Sequence, residues 1–339
     1  MKAFVNSLGL GRVVDVQPLT QDASDRRFYR IYLKDRSFVL MELLSSRPFI
    51  DAPVRLYHPA DGELPYLNIG RYMSGIGVPV PKVISFDRTA GLILLEDMGT
   101  LLLSEIIARQ PDAAPRLYKK AIDILITMQS GGKRKPDPGC FAFRMRFDFP
   151  IIRWELEHFL EFGIEARFGR LPSPVRTEIG RELDSLAHRI DRIDRVLMHR
   201  DFHARNLIVN EAGEIGVVDF QDALLGPETY DLASLLFDAY TEIDDCLKEE
   251  LVRYYLAERQ AYGLEPRAFD EFYALVKLTA LQRHLKIIGR FVFLAERKGK
   301  PAFLSYIPRV QRRVLSIVSE VPDAKRLERL IRPYLGGAT

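Results

Sequence analysis

Residues 199–220 read HRDFHARNLIVNEAGEIGVVDF, and no other segment of the chain says as much about its fold. His199, Arg200, Asp201 and Asn206 have the H-R-D-x-x-x-x-N spacing of a phosphoryl-transfer loop, and Asp219-Phe220 lies eighteen residues beyond Asp201. Leu207 to Asn210 and Ile215 to Val218 are apolar segments joined by the turn EAGE, which predicts a hairpin. Pairing Asn210 with Ile215 sets Asn206 opposite Asp219, so that a carboxamide and a carboxylate face one site. Both are hard oxygen donors of the kind Mg²⁺ takes while bridging nucleotide phosphates. Asp201 is then the base that receives the proton of an acceptor hydroxyl and orients it for in-line attack. Each half alone has a plainer reading, HRD as a polar turn and Asp219 as a strand-end cap. The hairpin between them gives the pair its weight.

Downstream, residues 219–231 read DFQDALLGPETYD. Gln221 stands where a DFG motif has glycine, and no long activation segment or APE motif fits before the next helix, which disfavours a protein kinase. Asp231 opens the helix DLASLLFDAY, either as an N-cap or as a buried acid accepting hydrogen bonds from the loop backbone.

Upstream, Val13 to Leu19, Arg27 to Leu33 and Ser37 to Leu43 read as three antiparallel strands, followed by a helix over Leu64 to Ile76 and strands at Lys82 to Phe86 and Leu92 to Leu95. From Leu101 the pattern changes to long amphipathic helices interrupted by one hairpin. The expected architecture is α+β and two-lobed like a protein kinase. Residues 1–97 form a small antiparallel β-sheet lobe with one helix, and residues 98–339 form a larger, mainly helical lobe; the seam falls near LLEDMGT. GGKRKPDPG, Gly131 to Gly139, reads as a surface loop. Trp154 reads as core, with Glu155 beside it able to reach a pocket.

Composition bounds the rest. The chain has 339 residues, 47% of them hydrophobic, and 49 Lys plus Arg against 46 acidic residues, a net +3 without any basic block. Neither nucleic acid nor a membrane surface is expected as a partner, and no obligate protein partner is evident. Cys140 and Cys246 lack metal-ligand spacing and read as reduced thiols of a cytoplasmic protein. No run approaches the roughly 18 apolar residues of a membrane span, and no secretion signal is seen.

HRDFHARNLIV, VVDFQDALLGPETYDLASLL and LLEDMG resemble the aminoglycoside phosphotransferase and choline kinase superfamily, which phosphorylates hydroxyls of small molecules within a kinase-like fold. DASDRRFYRI (Asp22 to Ile31) and LQRHLKIIGRFVFLAERKGKPAFLSYIPR (Leu281 to Arg309) are similar to one branch, the anomeric N-acetylmuramate/N-acetylglucosamine kinases of cell-wall recycling. The resemblance implies that Asp201 is the base, Asn206 and Asp219 the Mg²⁺ ligands, and His199 and Asp231 the scaffold of the loop. The backbone of Glu96 and Met98 would meet the base of ATP or GTP. The implied reaction moves the γ-phosphoryl group to a sugar hydroxyl. The alternatives are an aminoglycoside- or choline-type phosphotransferase and a non-catalytic nucleotide-binding protein. A metal-dependent hydrolase built on His199, Asp201 and His203 leaves Asn206 and Asp219 without a role.

The first lobe departs from this pattern. Ser37 to Leu44 contains no lysine to hold phosphates, and QDASDRRFYR replaces a glycine-rich loop. The expectation is that Asp22 to Asp25 form the phosphate-covering turn, using backbone N–H groups and the Ser24 hydroxyl, while Arg27 or Arg30 supplies the charge. Surface pairing of these arginines with Glu42, Glu63 or other acids is the plainer alternative. For the acceptor, the candidates are His203, Arg205, Gln221 and Asp222 in the motifs, with Asp222 also able to bond Arg205. Arg283 joins them from the late helix, where Lys286 and Arg290 offer further cations for a carboxylate or for water.

Overall fold

The computed structural model describes residues 1–19, 26–43 and 62–336. After a short helix α1 (Lys2–Ser7) come β1 (Asp15–Pro18), β2 (Arg26–Tyr32) and β3 (Ser37–Leu43), then α2 (Pro65–Gly75), β4 (Val83–Asp87) and β5 (Leu92–Glu96). The strands form one antiparallel sheet in the order β1-β2-β3-β5-β4. Because side chains alternate across a strand, the sheet buries both faces. Ile31, Leu40, Leu92 and Leu94 pack outward with Val5 of α1. Met41, Ile93 and Leu95 pack inward with Ile69 and Met73 of α2. The interior strand β5 therefore reads LILL without alternation.

The second part begins with β6 (Leu101–Leu102) and continues through α3 (Leu103–Arg109), α4 (Ala114–Arg134) and α5 (Phe149–His158). A π-helical turn (Phe159–Glu165) and the short α6 (Ala166–Phe168) extend α5, and α7 (Ser173–Asp191) follows. Next come β7 (Arg195–Met198), β8 (Leu207–Val209), β9 (Ile215–Val217), β10 (Leu224–Pro227) and α8 (Tyr230–Leu236). The chain then runs through α9 (Asp245–Ala261), α10 (Phe269–Lys298), α11 (Ile307–Glu320) and α12 (Lys325–Leu335). Helix α10, 30 residues long, is the spine: Val276, Leu281, Leu285, Ile288 and Val292 are buried along it. No helix among the described residues is long and apolar enough to cross a membrane.

Four details correct the sequence reading. The hairpin is not alone: β6 adds a third strand to β8 and β9, while β7 and β10 form a separate antiparallel ribbon. These strands are too short for periodicity to reveal, and they pair across long loops. Its register is also one residue different. Leu207 faces Val217, so Asn206 meets Val218, whose N–H donates to the Asn206 carbonyl at 3.0 Å. Gly213, at φ +74°, makes a three-residue loop closed by Asn210 and Glu214, which bond through both backbone and side chains.

Gly131 to Arg134 continue α4 instead of opening a loop. A Cβ on Gly132 would fall 2.7 Å from the Leu197 Cβ, so this glycine lets α4 lie against β7. Finally, Trp154 is half-buried against His158, their rings 4.5 Å apart, and Glu155 takes the inward position. The buried stripe of α5 is Ile151, Ile152, Glu155 and Leu156, which leaves Trp154 on the flank.

Candidate active site

Strand β7 delivers the chain directly into the loop at His199, which is fully buried. The His199 Nδ1 accepts the Asp201 N–H at 3.3 Å, so the proton sits on Nε2 and is donated to the Val218 carbonyl at 3.0 Å. The ring thus ties the loop to the end of β9, and with both nitrogens engaged it is no metal ligand, which removes the hydrolase reading. Asp231, at the start of α8, accepts the backbone N–H groups of His199 (2.6 Å) and Arg200 (2.9 Å). Burial pushes its carboxyl up to about 6, against those two donors and the nearby His199 and Arg283. Arg200 has φ +81° and Asp219 φ +64°. Left-handed backbone at two non-glycine residues is strain that the surrounding bonds must hold, and such residues gather at functional sites.

The Asn206 Nδ2 donates to the Asp201 carbonyl at 2.8 Å. A carbonyl only accepts, so the amide orientation is set and Oδ1 is turned away from the loop. Asp219 lies just past the hairpin, where its left-handed backbone redirects the side chain. Its Oδ1 accepts from Gln221 Nε2 (3.0 Å) and Arg26 Nη2 (3.3 Å), and Oδ2 makes no hydrogen bond to a described residue. A carboxamide oxygen and a partly exposed carboxylate are a donor set that suits a hard divalent cation. Asp201 itself is half-buried. Burial pushes its carboxyl up, but Lys286, Arg283, His203 and Arg200 outweigh that and hold it well below the usual carboxylate range.

Beneath the loop lies a charge network that sequence reasoning missed. Glu155 is fully enclosed and meets Arg200 (2.8 Å), Lys286 (3.2 Å) and Gln282 (3.0 Å). Burial raises its carboxyl, and Lys286 with Arg200 more than reverses this, to about 2. Arg283 donates to the Arg200 carbonyl at 2.8 Å and lies over the Tyr230 ring at 4.6 Å. It is therefore a brace for the loop, buried under it. The one available signal was a glutamate on the apolar stripe of α5 facing basic residues on the inner face of α10.

Beside the loop, among the residues expected to meet an acceptor, Arg205 bonds the Tyr306 hydroxyl at 2.9 Å and stacks on Tyr240 at 4.1 Å. It does not pair with Asp222, which accepts instead from Gln221 at 3.0 Å. His203 meets the edge of Tyr240, 5.3 Å between centroids, and its Nδ1 is buried with no hydrogen-bond partner. Tyr240 and Tyr306 complete this wall and were not among the expected residues.

In the sheet, Arg30 forms a forked pair with Asp97 (2.8 and 3.2 Å) and also donates to the Gly99 carbonyl, bracing the seam. Arg27 is exposed on the opposite face, beside Glu42, whose carboxylate takes the Tyr29 hydroxyl. Arg26, one residue earlier, is the arginine that reaches Asp219. The Glu96 N–H bonds the Lys82 carbonyl at 2.9 Å, and the Met98 side chain lies against Gly216 of β9. Ser24 and the turn Asp22 to Asp25 lie outside the described residues.

Residues 15–269 match the model of the phosphotransferase enzyme family. A protein from Pseudomonas aeruginosa named N-acetylmuramate/N-acetylglucosamine kinase is 31% identical over 97% of this chain and 92% of its own. One of the same name from Neisseria meningitidis is 32% identical over 92% and 90%. The solved choline kinase LicA of Streptococcus pneumoniae superposes with a TM-score of 0.61, covering 94% of this chain and 97% of its own at 18% identity, which shows the two-lobed α+β fold of the protein-kinase type. With the loop, the hairpin and the buried Asp231 in one frame, and with matches along nearly its whole length, the chain belongs to the phosphotransferase enzyme family.

Proposed function

We propose that this protein transfers the γ-phosphoryl group of magnesium-bound ATP or GTP to the anomeric hydroxyl of N-acetylmuramate, N-acetylglucosamine or a close relative. The observation that carries the reading is the loop in which the Asn206 amide bonds the Asp201 carbonyl while the Asn206 carbonyl takes the N–H of Val218, the neighbour of Asp219, in a chain whose near full-length relatives bear that kinase name.

In this reading Asp201, ionised at neutral pH, accepts a hydrogen bond from the anomeric hydroxyl. It takes the proton as the new O–P bond forms and the bridging P–O bond breaks to release the nucleoside diphosphate. Because its surroundings hold its proton affinity low, its larger contribution is orientation. Asn206 Oδ1 and the Asp219 carboxylate would hold Mg²⁺, which neutralises charge on the phosphates. His199, Arg200 and Asp231 keep the loop in its strained form. The backbone of Glu96 and Met98 meets the base. His203, Gln221 and Asp222 meet the sugar hydroxyls and amide, and Arg205 meets the lactyl carboxylate of N-acetylmuramate. A nucleoside triphosphate as donor places the protein in the cytoplasm. Choline is disfavoured, because the Tyr240–Tyr306 wall that could take a quaternary ammonium already carries the Arg205 guanidinium.

Incubation with Mg-ATP or Mg-GTP and each sugar, followed by phosphorus NMR, tests the proposal. An anomeric phosphate is expected; a 6-phosphate, or turnover only of choline or an aminoglycoside, defeats the assignment. Asp201→Ala should lower turnover by roughly 10²–10⁴-fold while nucleotide binding is kept.

A further inference from the structure

We propose that Arg26 grips the nucleotide phosphates in place of the missing strand lysine; this rests on the kinase reading above. The inward positions of β3 are Val39, Met41 and Leu43, and Met41 is part of the main core, so that strand presents no cation to the cleft. Register sets Arg26 beside Leu43, Phe28 beside Met41 and Arg30 beside Val39, which places Arg26 and Arg30 on that same face of β2. Arg30 is committed to Asp97 and the Gly99 carbonyl. Arg26 crosses to Asp219, 193 residues away in sequence, at the carboxylate assigned above to the metal.

That contact is built to exchange. At 3.3 Å it exceeds the 2.7–2.9 Å usual for a charged N–H···O bond. The two side chains are 20% and 44% exposed, so solvent screens the pair. A polyphosphate lying between the sheet and Asp219 presents several negative oxygens to a guanidinium fork that can take two at once. Helix α2 itself carries no acid, and Glu63 just ahead of it is paired with Arg71 (2.8 Å) and Asn68 (3.0 Å). The neighbour of Asp219, Phe220, is fixed under this face by the Tyr66 ring, 4.6 Å away. The lysine–glutamate pair of a kinase sheet is therefore replaced by an arginine that rests on the metal-site aspartate until the nucleotide arrives.

The test is calorimetric binding of ATP, ADP and adenosine, or the guanine set if the wild type prefers it, to wild type, Arg26→Gln and Arg26→Lys without Mg²⁺. Loss of one charged hydrogen-bond donor predicts that Arg26→Gln binds the triphosphate and diphosphate roughly 10- to 100-fold more weakly and the nucleoside equally well. Arg26→Lys should fall between. Unchanged ATP and ADP affinity in Arg26→Gln, or an equal loss for the nucleoside, overturns the proposal. A wild type that binds nucleotide with this Arg26 dependence yet phosphorylates neither sugar overturns the acceptor assignment alone.

Discussion

Asp231 and Arg205 are the two residues whose surroundings make the sharpest statements. Asp231 accepts a backbone N–H on each carboxylate oxygen, so only the ionised form satisfies both donors. With its carboxyl raised to about 6, it gains a proton as the pH falls through that value, one N–H loses its acceptor, and the strained Arg200 backbone loses a restraint. The acid limb of kcat/KM should lie near pH 6, far above the range in which Asp201 titrates. In Asp231→Asn that limb should move to lower pH, and a limb that stays put would assign it to another group. Arg205 makes the second statement. It has an aromatic platform and a hydroxyl partner but no carboxylate among the described residues. Arg205→Ala should lower kcat/KM for N-acetylmuramate by roughly 10-fold or more and leave N-acetylglucosamine, which lacks the lactyl carboxylate, nearly unchanged. Equal losses for both sugars would make Arg205 a support of the Tyr240–Tyr306 wall. The sequence carried Arg205 and Asp231 openly, because both lie within motifs. It could not say whether Arg205 meets Asp222 or Tyr306, since Tyr306 is 101 residues further along.

Helices α5 and α10 are joined through charge as well as apolar packing. Glu155 on one meets Lys286 and Gln282 on the other, and Arg200 of the loop sits between them. Removing one partner of a buried ion network strands the others in a low-dielectric interior. Glu155→Ala should cost about 3–5 kcal/mol in denaturant unfolding, and adding Lys286→Met to it should recover part of that loss. A loss under 1 kcal/mol would mean that water reaches Arg200 and Lys286 and compensates them. Element existence was largely legible: the strands and long helices follow period-two and period-3.6 patterns. Some elements escaped. In α12, Leu327, Ile331 and Leu335 recur every fourth residue and could have been read. Strands β7 and β10 could not, because RVLM and LLGP are four residues each and pair only once the loop between them is closed. Arginine placement on β2 turned on alternation phase, and a one-residue shift moves every side chain to the other face.

Among the described residues, the larger of two cores runs from Met41 in the sheet, through Tyr66 and Leu95, to Ile331 and Leu335 in the last helix, and the smaller lies on the outer face of the sheet. Such continuity argues for one cooperative transition even though the architecture has two lobes. Far-UV circular dichroism and the fluorescence of Trp154, the one tryptophan and a reporter on α5, should give coincident denaturation curves. A sheet that melts first would separate them. Residue type and spacing were enough to mark the loop from His199 to Asn206, the hairpin that carries Asp219 away from it, and the order of sheet before helices. These features are written in contacts spanning a score of residues or fewer, where residue type and spacing suffice. Tertiary structure alone decided that Arg26, and neither Arg27 nor Arg30, reaches Asp219, that Arg283 braces the loop from beneath, and that Glu155 lies under Arg200. Each of these is a contact made by a charged side chain across 45 to 193 residues. Which charges meet over such distances depends on strand register and on the packing of α10 against α5, and neither leaves a local pattern.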